Sequence, residues 1–404
     1  MSFFPVCGRS ALLAAAFVLT ASEVEAQPTE PPNPLHQPGG FAARSGELKQ
    51  KLVREEGGTG ASEGGVLTGI IWLIRHQAAD GHWSFHEFPL HGKCNCTATG
   101  IINDAAATGL ALLPLLGAGH THQLTDKDHP YAANVDRGLK WLVNHQARDG
   151  ALGMGYAQPI CTLALCEAYG MTRDPALREP AQKAIDASVA WQNPAGGFRY
   201  FPKTPGDLSV TAWYVQAFKS AQLAGLNVPG ATLSGINTHL DALGNRDGSG
   251  YGYQSAQPTQ PMSAAGLLCR QFQGWDARRA GMVKGVEGLM KTPPSANYRN
   301  VYYYYYATQV IRHTGGEPWQ KWNPRIRDLT VEAQDQGANP RFRDQAGSWS
   351  PEGDAWGKSM GRLGMTCMSM LNLEVYYRHL PLYAREQAVA APVKENAQRA
   401  NRVK

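Results

Sequence analysis

Two stretches decide the fold: TGIIWLIRHQAADGHW at 68–83 and RGLKWLVNHQARDGALGMGY at 137–156. Each carries an apolar-periodic helix, reaches a Gln at its end (Gln77, Gln146) and breaks at Asp-Gly. Glycine stops a helix because it accepts left-handed dihedrals at no steric cost. The same order returns as VAWQNPAGGFRY at 189–200 and LGNRDGSGYGY at 243–253. Worn copies run from Lys284 (KGVEGLM) and from Leu329 through AGSW at 346–349. Self-similarity of this kind marks an architecture of stacked repeats.

Each copy is followed by a second helical stretch, beginning near Thr97, Ile160, Leu208, Met262, Tyr298 and Met365. These stretches are apolar nearly all round, which means burial on every face. The first helices of each pair carry more polar residues and belong outside. Six outer and six inner helices predict an all-α protein, an (α/α)6 toroid. A ring of repeats also accommodates more than 300 residues without one ever-thicker core.

The first two units resemble the QW motif of squalene-type cyclases. Gly69, Trp72, Leu73, Gln77, Gly81 and Trp83 follow it, as do Arg137, Gly138, Trp141, Leu142, Gln146 and Gly150, with Leu152 where Trp is expected. The chain thus looks like a repeat protein of the terpenoid cyclase and protein prenyltransferase toroid superfamily. The resemblance implies a structural role for these residues, with Gln capping helix ends and tying neighbouring repeats. The activity motifs of that superfamily are another matter. No DxDD is present, and the nearest match, Asp126 and Asp128, sits in a His-rich connector. No Asp-x-Cys pair is present; Cys367 and His379 lack an acidic residue two positions before the Cys. The Gly-Cys-Gly-Glu-Gln of thioester domains is absent too. Neither zinc-dependent prenyl transfer nor DxDD-type cyclisation is therefore expected, and no cofactor.

Outside the repeats the chain divides simply. Arg9, an apolar run from Ala11 to Ala21 and the Val24-Glu25-Ala26 segment read as a secretory signal over 1–26, which predicts export to the periplasm or the exterior. Residues 27–60, rich in Pro, Gly and charge, read as a linker. The toroid is expected over 61–385, and a polar tail over 386–404. No later apolar stretch is long enough to span a membrane. The net charge of +5, which becomes +6 once Arg9, Glu23 and Glu25 leave with the signal, is scattered, so nucleic acid is not an expected partner. Loss of Cys7 leaves six cysteines whose pairing the sequence does not determine.

Polar groups on inner helices are costly unless paired or used. Asp207, Asp104 and Glu167 are the candidate catalytic carboxylates. Asp207 shares a helix face with Thr211, Tyr214 and Phe218, and Asp-Leu-Ser also reads as a helix cap. Tyr302 to Tyr306 put rings on every face of one helix; Tyr302, Tyr306 and Gln309 share a side. With Trp213 and Tyr214, and with His313 near the helix end, they are candidate ligand-binding residues, suited to an apolar ligand or to stacking on sugars. His82, His86, His91, Cys94 and Cys96 lie close in sequence, as do His120, His122, Asp126, Asp128 and His129. Neither group has a recognised zinc-ligand spacing, and no metal is expected. Three functions remain open: a binding protein for an apolar, isoprenoid-like ligand, an enzyme acting on terpenes or glycans, and an envelope interaction module.

Overall fold

The computed structural model describes residues 41–123 and 130–378. Among them, regular structure is helical, with only isolated β-bridges such as Phe198 to Asp207. Six inner helices are α4 (Asp104–Gly117), α6 (Ala157–Thr172), α8 (Leu208–Leu223), α10 (Gln260–Phe272), α12 (Val301–Thr314) and α14 (Gly357–Leu373). Each packs on the next, and α14 packs on α4, so the ring closes. Six outer helices alternate with them in sequence: α2 (Gly60–Arg75), α5 (Ala132–Asn144), α7 (Pro175–Trp191), α9 (Gly230–Leu243), α11 (Ala280–Met290) and α13 (Gly316–Glu332). The expected (α/α)6 toroid is what the chain forms.

The repeat motif explains how the ring is stitched. Gln77 Nε2 donates to the carbonyl of Gly81 in its own turn (2.7 Å) and to that of Asn134 in the next outer helix (2.9 Å). Gln146 joins Gly150 to Pro180, and Gln192 joins Gly196 to Thr232. Gln334 joins Gly347 to Gly65 of α2, closing the outer ring. Gly81 sits at φ +107°, and a Cβ there would meet the Arg137 backbone at 2.5 Å, so a side chain is barred both by conformation and by space. After four of the turns a backbone N–H donates to a hydroxyl of the following inner helix, Trp83 to Thr108, Phe198 to Thr211, Tyr251 to Ser263 and Trp349 to Thr366, and after the second turn Leu152 N donates to Gln158 Oε1 instead.

Three expectations shift. The first inner helix starts at Asp104 rather than Thr97, because the Asn103 side chain accepts from Ala106 N and caps it there. The last is broken at Gly361 (φ +58°), where Gly100 approaches so closely that no Cβ fits, and its regular part follows this kink. Part of the stretch read as a linker is helical: Ala42–Arg44 form a 3-10 turn and α1 spans Gly46–Glu55. Its Leu52 is buried, and the segment packs on α15 (Val375–Arg378). The signal, residues 27–40 of the linker and the tail lie outside the described residues. No described helix is long and apolar enough to cross a membrane.

Candidate functional site

The inner helices run in parallel, so the ring has two unlike ends. Their C-terminal end is closed. Glu167 of α6, fully buried, accepts from Arg44 at 2.7 Å and from Arg378 at 2.9 Å. Burial works to raise this carboxyl, but the two guanidinium groups overcome it and hold it below the usual range. Arg378 also donates to the Tyr305 hydroxyl (3.2 Å), which donates to Gln216 Oε1 (2.7 Å), whose amide donates to the Tyr306 hydroxyl (3.2 Å). Glu167 is thus the anchor of the floor, clipping both ends of the described chain to one inner helix.

Above this floor the tyrosine helix builds an aromatic column. Trp213 stacks on Tyr305 (5.4 Å between centroids) and meets Tyr306 edge-on (6.3 Å). Tyr306 packs on Tyr302 (4.8 Å), and Tyr302 on Trp356 at the start of α14 (5.1 Å). The Tyr302 hydroxyl donates to Ser209 O. Burial raises the Tyr302 and Tyr306 hydroxyls, so both stay protonated donors. Gln309 donates to Tyr305 O, leaving its buried Oε1 without a hydrogen-bond partner. Tyr214 goes elsewhere: its ring stacks on Phe198 of its own repeat (4.0 Å), beside Phe218. The face shared by Asp207, Thr211, Tyr214 and Phe218 packs on the repeat turn, whereas Trp213 joins the column.

The N-terminal end of the inner ring is formed by the loops that lead into the inner helices. Asp207 caps α8: Oδ1 accepts from Val210 N (2.9 Å) and the Ser209 hydroxyl (2.7 Å), and Oδ2 from the Tyr253 hydroxyl (3.1 Å), with Arg199 at 3.5 Å. The cap reading of this residue matches its geometry. Tyr156 meets the Ser209 hydroxyl at 2.7 Å, and Tyr200 meets that of Tyr253 at 3.2 Å. Asp104, first residue of α4, is half-buried and its Oδ1 has no hydrogen-bond partner. Four of the loops leading into inner helices expose large apolar side chains: Ile101 and Ile102 (80%), Met154, Tyr200 and Phe201 (60%), and Tyr298. A cavity of about 60 Å³ lies between α12, α13 and α14, lined by Tyr304, Trp349, Asp354 and Asn372 among others. It has room for a few waters at most.

His313 is buried at the far end of α12, and burial first, then Arg312 and Lys219, push its pKa down to about 3. It is therefore neutral across the physiological range. Burial likewise lowers Lys219, from 10.5 to about 8. A folded-state pKa below the unfolded one means that the buried cation costs stability at pH 7, a cost relieved as pH rises from 8 towards 10.5. Lys219→Met is expected to stabilise the protein by ~3 kcal/mol at pH 7, the advantage shrinking in alkaline buffer. Urea unfolding at several pH values checks this; a pH-independent difference would contradict it.

The first histidine cluster disperses. His82 bonds Asp80 (2.6 Å) and packs edge-on against His91 (5.0 Å); His86 is exposed. Cys94 and Cys96 turn instead to His76, a residue that sequence reasoning did not single out. His122 bonds Asp174, and Asp126, Asp128 and His129 lie outside the described residues.

No family model matches the chain, and no curated protein matches it. Solved structures do. It is similar to an inactive variant of the GH76A α-1,6-mannanase of Salegentibacter sp. HEL1_6 in complex with α-1,6-mannotriose, at 9% identity and TM-score 0.56, over 78% of this chain and 99% of that one. It is also similar to a variant of the type II terpene cyclase MstE from Scytonema in complex with merosterolic acid A, at 14% identity and TM-score 0.50, over 83% of this chain and 99% of that one. At such identities the likeness shows the fold, an α/α-toroid, alone.

Proposed function

We propose that this chain is an exported toroid that takes an apolar, isoprenoid-like ligand through the N-terminal end of its inner ring. The observation that carries the reading is the pairing of an apolar rim with an aromatic column at one end of a ring whose other end is closed. Ile101, Ile102, Met154 and Phe201 expose large apolar surface there. A soluble protein gains nothing from concentrating such surface unless something covers it. Trp356, half-buried, packs on the buried Tyr302 beneath it, the outermost ring of the column. Binding is favoured over catalysis because Glu167 and Asp207 have both carboxylate oxygens engaged by protein donors. Of the three carboxylates only Asp104 keeps an oxygen unclaimed. Export rests on the leader pattern around Arg9 and Ala26.

A glycan is the second reading, favoured by the hydroxyl cluster of Tyr156, Ser209, Tyr200 and Tyr253 beside Arg199 and Asp207. Titration with geranylgeraniol and with α-1,6-mannotriose, followed by tryptophan fluorescence and calorimetry, separates the two. Saturable binding of geranylgeraniol is expected, weakened about tenfold or more by Phe201→Ser with Trp356→Ala, since each removes a large apolar contact. Binding of mannotriose alone would replace the first reading by the second. Native mass spectrometry of protein from its own host should show a retained apolar species. Binding of neither probe and an empty native spectrum would leave an envelope interaction module.

A further inference from the structure

In each of the first two repeats a His precedes the Gln, and it behaves alike in both. His145 stacks on Trp141 (3.9 Å between centroids) and bonds the Trp141 carbonyl through Nδ1 (2.8 Å). His76 stacks on Trp72 (3.9 Å) and bonds the Trp72 carbonyl through Nδ1 (2.6 Å). This shared geometry is a helix-end device and calls for no ligand. The first repeat differs in what stands over the free ring nitrogen. Its turn does not lead straight into the inner helix as that of the second repeat does. It carries an inserted loop, with the short α3 (Phe88–His91) followed by Cys94-Asn95-Cys96.

That loop sets both sulfurs on His76 Nε2, Cys94 Sγ at 3.3 Å and Cys96 Sγ at 3.4 Å. All three ligand atoms lie within 4.8 Å of one another. With Nδ1 donating to a carbonyl, the proton is fixed there and Nε2 presents its lone pair, the tautomer a metal needs, held by the outer-shell partner usual for ligating histidines. Zinc bonds of about 2.0–2.1 Å to nitrogen and about 2.3 Å to sulfur at a tetrahedral angle place N and S ~3.6 Å apart. The observed separations need only a few tenths of an ångström to match. Cys96 N donates to Cys94 Sγ at 3.2 Å, which fixes the position of that sulfur. Gly92 leaves the ring its room, since a Cβ there would meet His76 Nε2 at 2.6 Å. Lys93 and Ala98, at φ +49° and +67°, flank the pair in conformations that side chains rarely adopt, and a bond across the loop would hold them.

The geometry points to a zinc site formed by His76 Nε2, Cys94 Sγ and Cys96 Sγ, which pins the inserted loop of the first repeat to the end of α2. On binding, the two thiols lose their protons to solvent and two Zn–S bonds form with one Zn–N bond. No electrons move. Three protein ligands leave a fourth position for water, on the side where Cys94 is half-exposed. This site is independent of the ligand proposed for the N-terminal end of the inner ring.

The test uses the full-length protein, purified under reducing, metal-free conditions and titrated with Zn²⁺ and then Co²⁺. One equivalent of zinc by elemental analysis is expected, with a tetrahedral, thiolate-bearing Co²⁺ spectrum. Cys94→Ser and Cys96→Ser should each weaken binding by about tenfold to a hundredfold, and the double variant should abolish it. His82→Ala and His91→Ala, neighbours outside the triad, should keep the full equivalent. Circular dichroism confirms that each variant is folded, and hydrogen exchange over 92–103 should slow in the zinc-bound wild type. Failure to take up stoichiometric zinc, zinc retained by the double Ser variant, or a Cys94–Cys96 disulfide in protein isolated from its host would overturn the assignment.

Discussion

Glu167→Gln should destabilise the protein by about 3–5 kcal/mol, because it leaves two buried guanidinium groups facing an uncharged amide. Arg44 and Arg378 are 2% and 1% exposed, and both pair with Glu167. The cost of such a pair lies in breaking it. Removing one member strands charges that have already lost their water. The carboxyl lies below its ordinary range when folded, so its stabilisation is present above the unfolded value near 4.5 and is lost as pH falls through the folded one. Urea midpoints for wild type and variant should therefore converge only in strong acid. Glu374, equally buried at the end of α14, supplies the contrast. Neither of its oxygens has a hydrogen-bond partner, and burial raises its carboxyl well above the ordinary range despite Arg378, Lys49 and Arg44. A raised carboxyl costs stability once pH exceeds the unfolded value, so Glu374→Gln should stabilise at neutral pH. Because Arg44 and Arg378 hold the two ends of the described chain on α6, Glu167→Gln should also speed proteolysis within 41–56. An unchanged midpoint in Glu167→Gln would remove the floor from the account of the fold.

The ring was legible because its information is local. Gln77 reaches the carbonyl of Gly81 only four residues on, and that spacing is printed in every well-kept copy of the motif. Apolar periodicity located the inner helices for the same reason, and it misplaced the start of the first because a single Asn cap outranks seven residues of permissive sequence. The floor was not legible. Arg44 and Glu167 are 123 residues apart, and Arg44 sits in a stretch whose Pro, Gly and charge read as a linker. Nothing in a charged residue's neighbours announces a partner that far away. The candidate ligand-binding set divided along the helix faces: Trp213 turned to the column, while Tyr214, one residue on and about 100° round, turned to Phe198. The triad at His76 was hidden differently. One signal existed, a His before the Gln in both repeats, but proximity in sequence favoured His82 and His91 over a residue 18 positions before Cys94.

Trp83→Ala should cost about 3–5 kcal/mol although the residue touches no candidate site. Its indole is fully buried, with Nε1 donating to the Leu73 carbonyl at the end of its own outer helix (2.8 Å). The ring lies so close to Gly138 of the next outer helix that a Cβ on that glycine would meet it at 2.8 Å. One side chain therefore fills the corner where an outer helix, its inner helix and the neighbouring repeat converge. Truncation opens a cavity there and removes the indole hydrogen bond, although the Leu73 carbonyl keeps the His76 backbone N–H at 3.0 Å, so the cavity dominates the cost. Trp349, with Nε1 on the Thr330 carbonyl at 2.7 Å, occupies the equivalent corner where the last repeat meets the first. Trp349→Ala should be at least as damaging, because that corner closes the ring. Trp141 lies at the outer surface, half-buried, stacked on His145 and bonded to Asp80, so Trp141→Ala should cost markedly less. Thermal and urea unfolding of the three variants checks the order. Equal, small losses at all three positions would mean that the indoles are not the corners of the ring, and a wild-type midpoint for Trp83→Ala would refute their structural role outright.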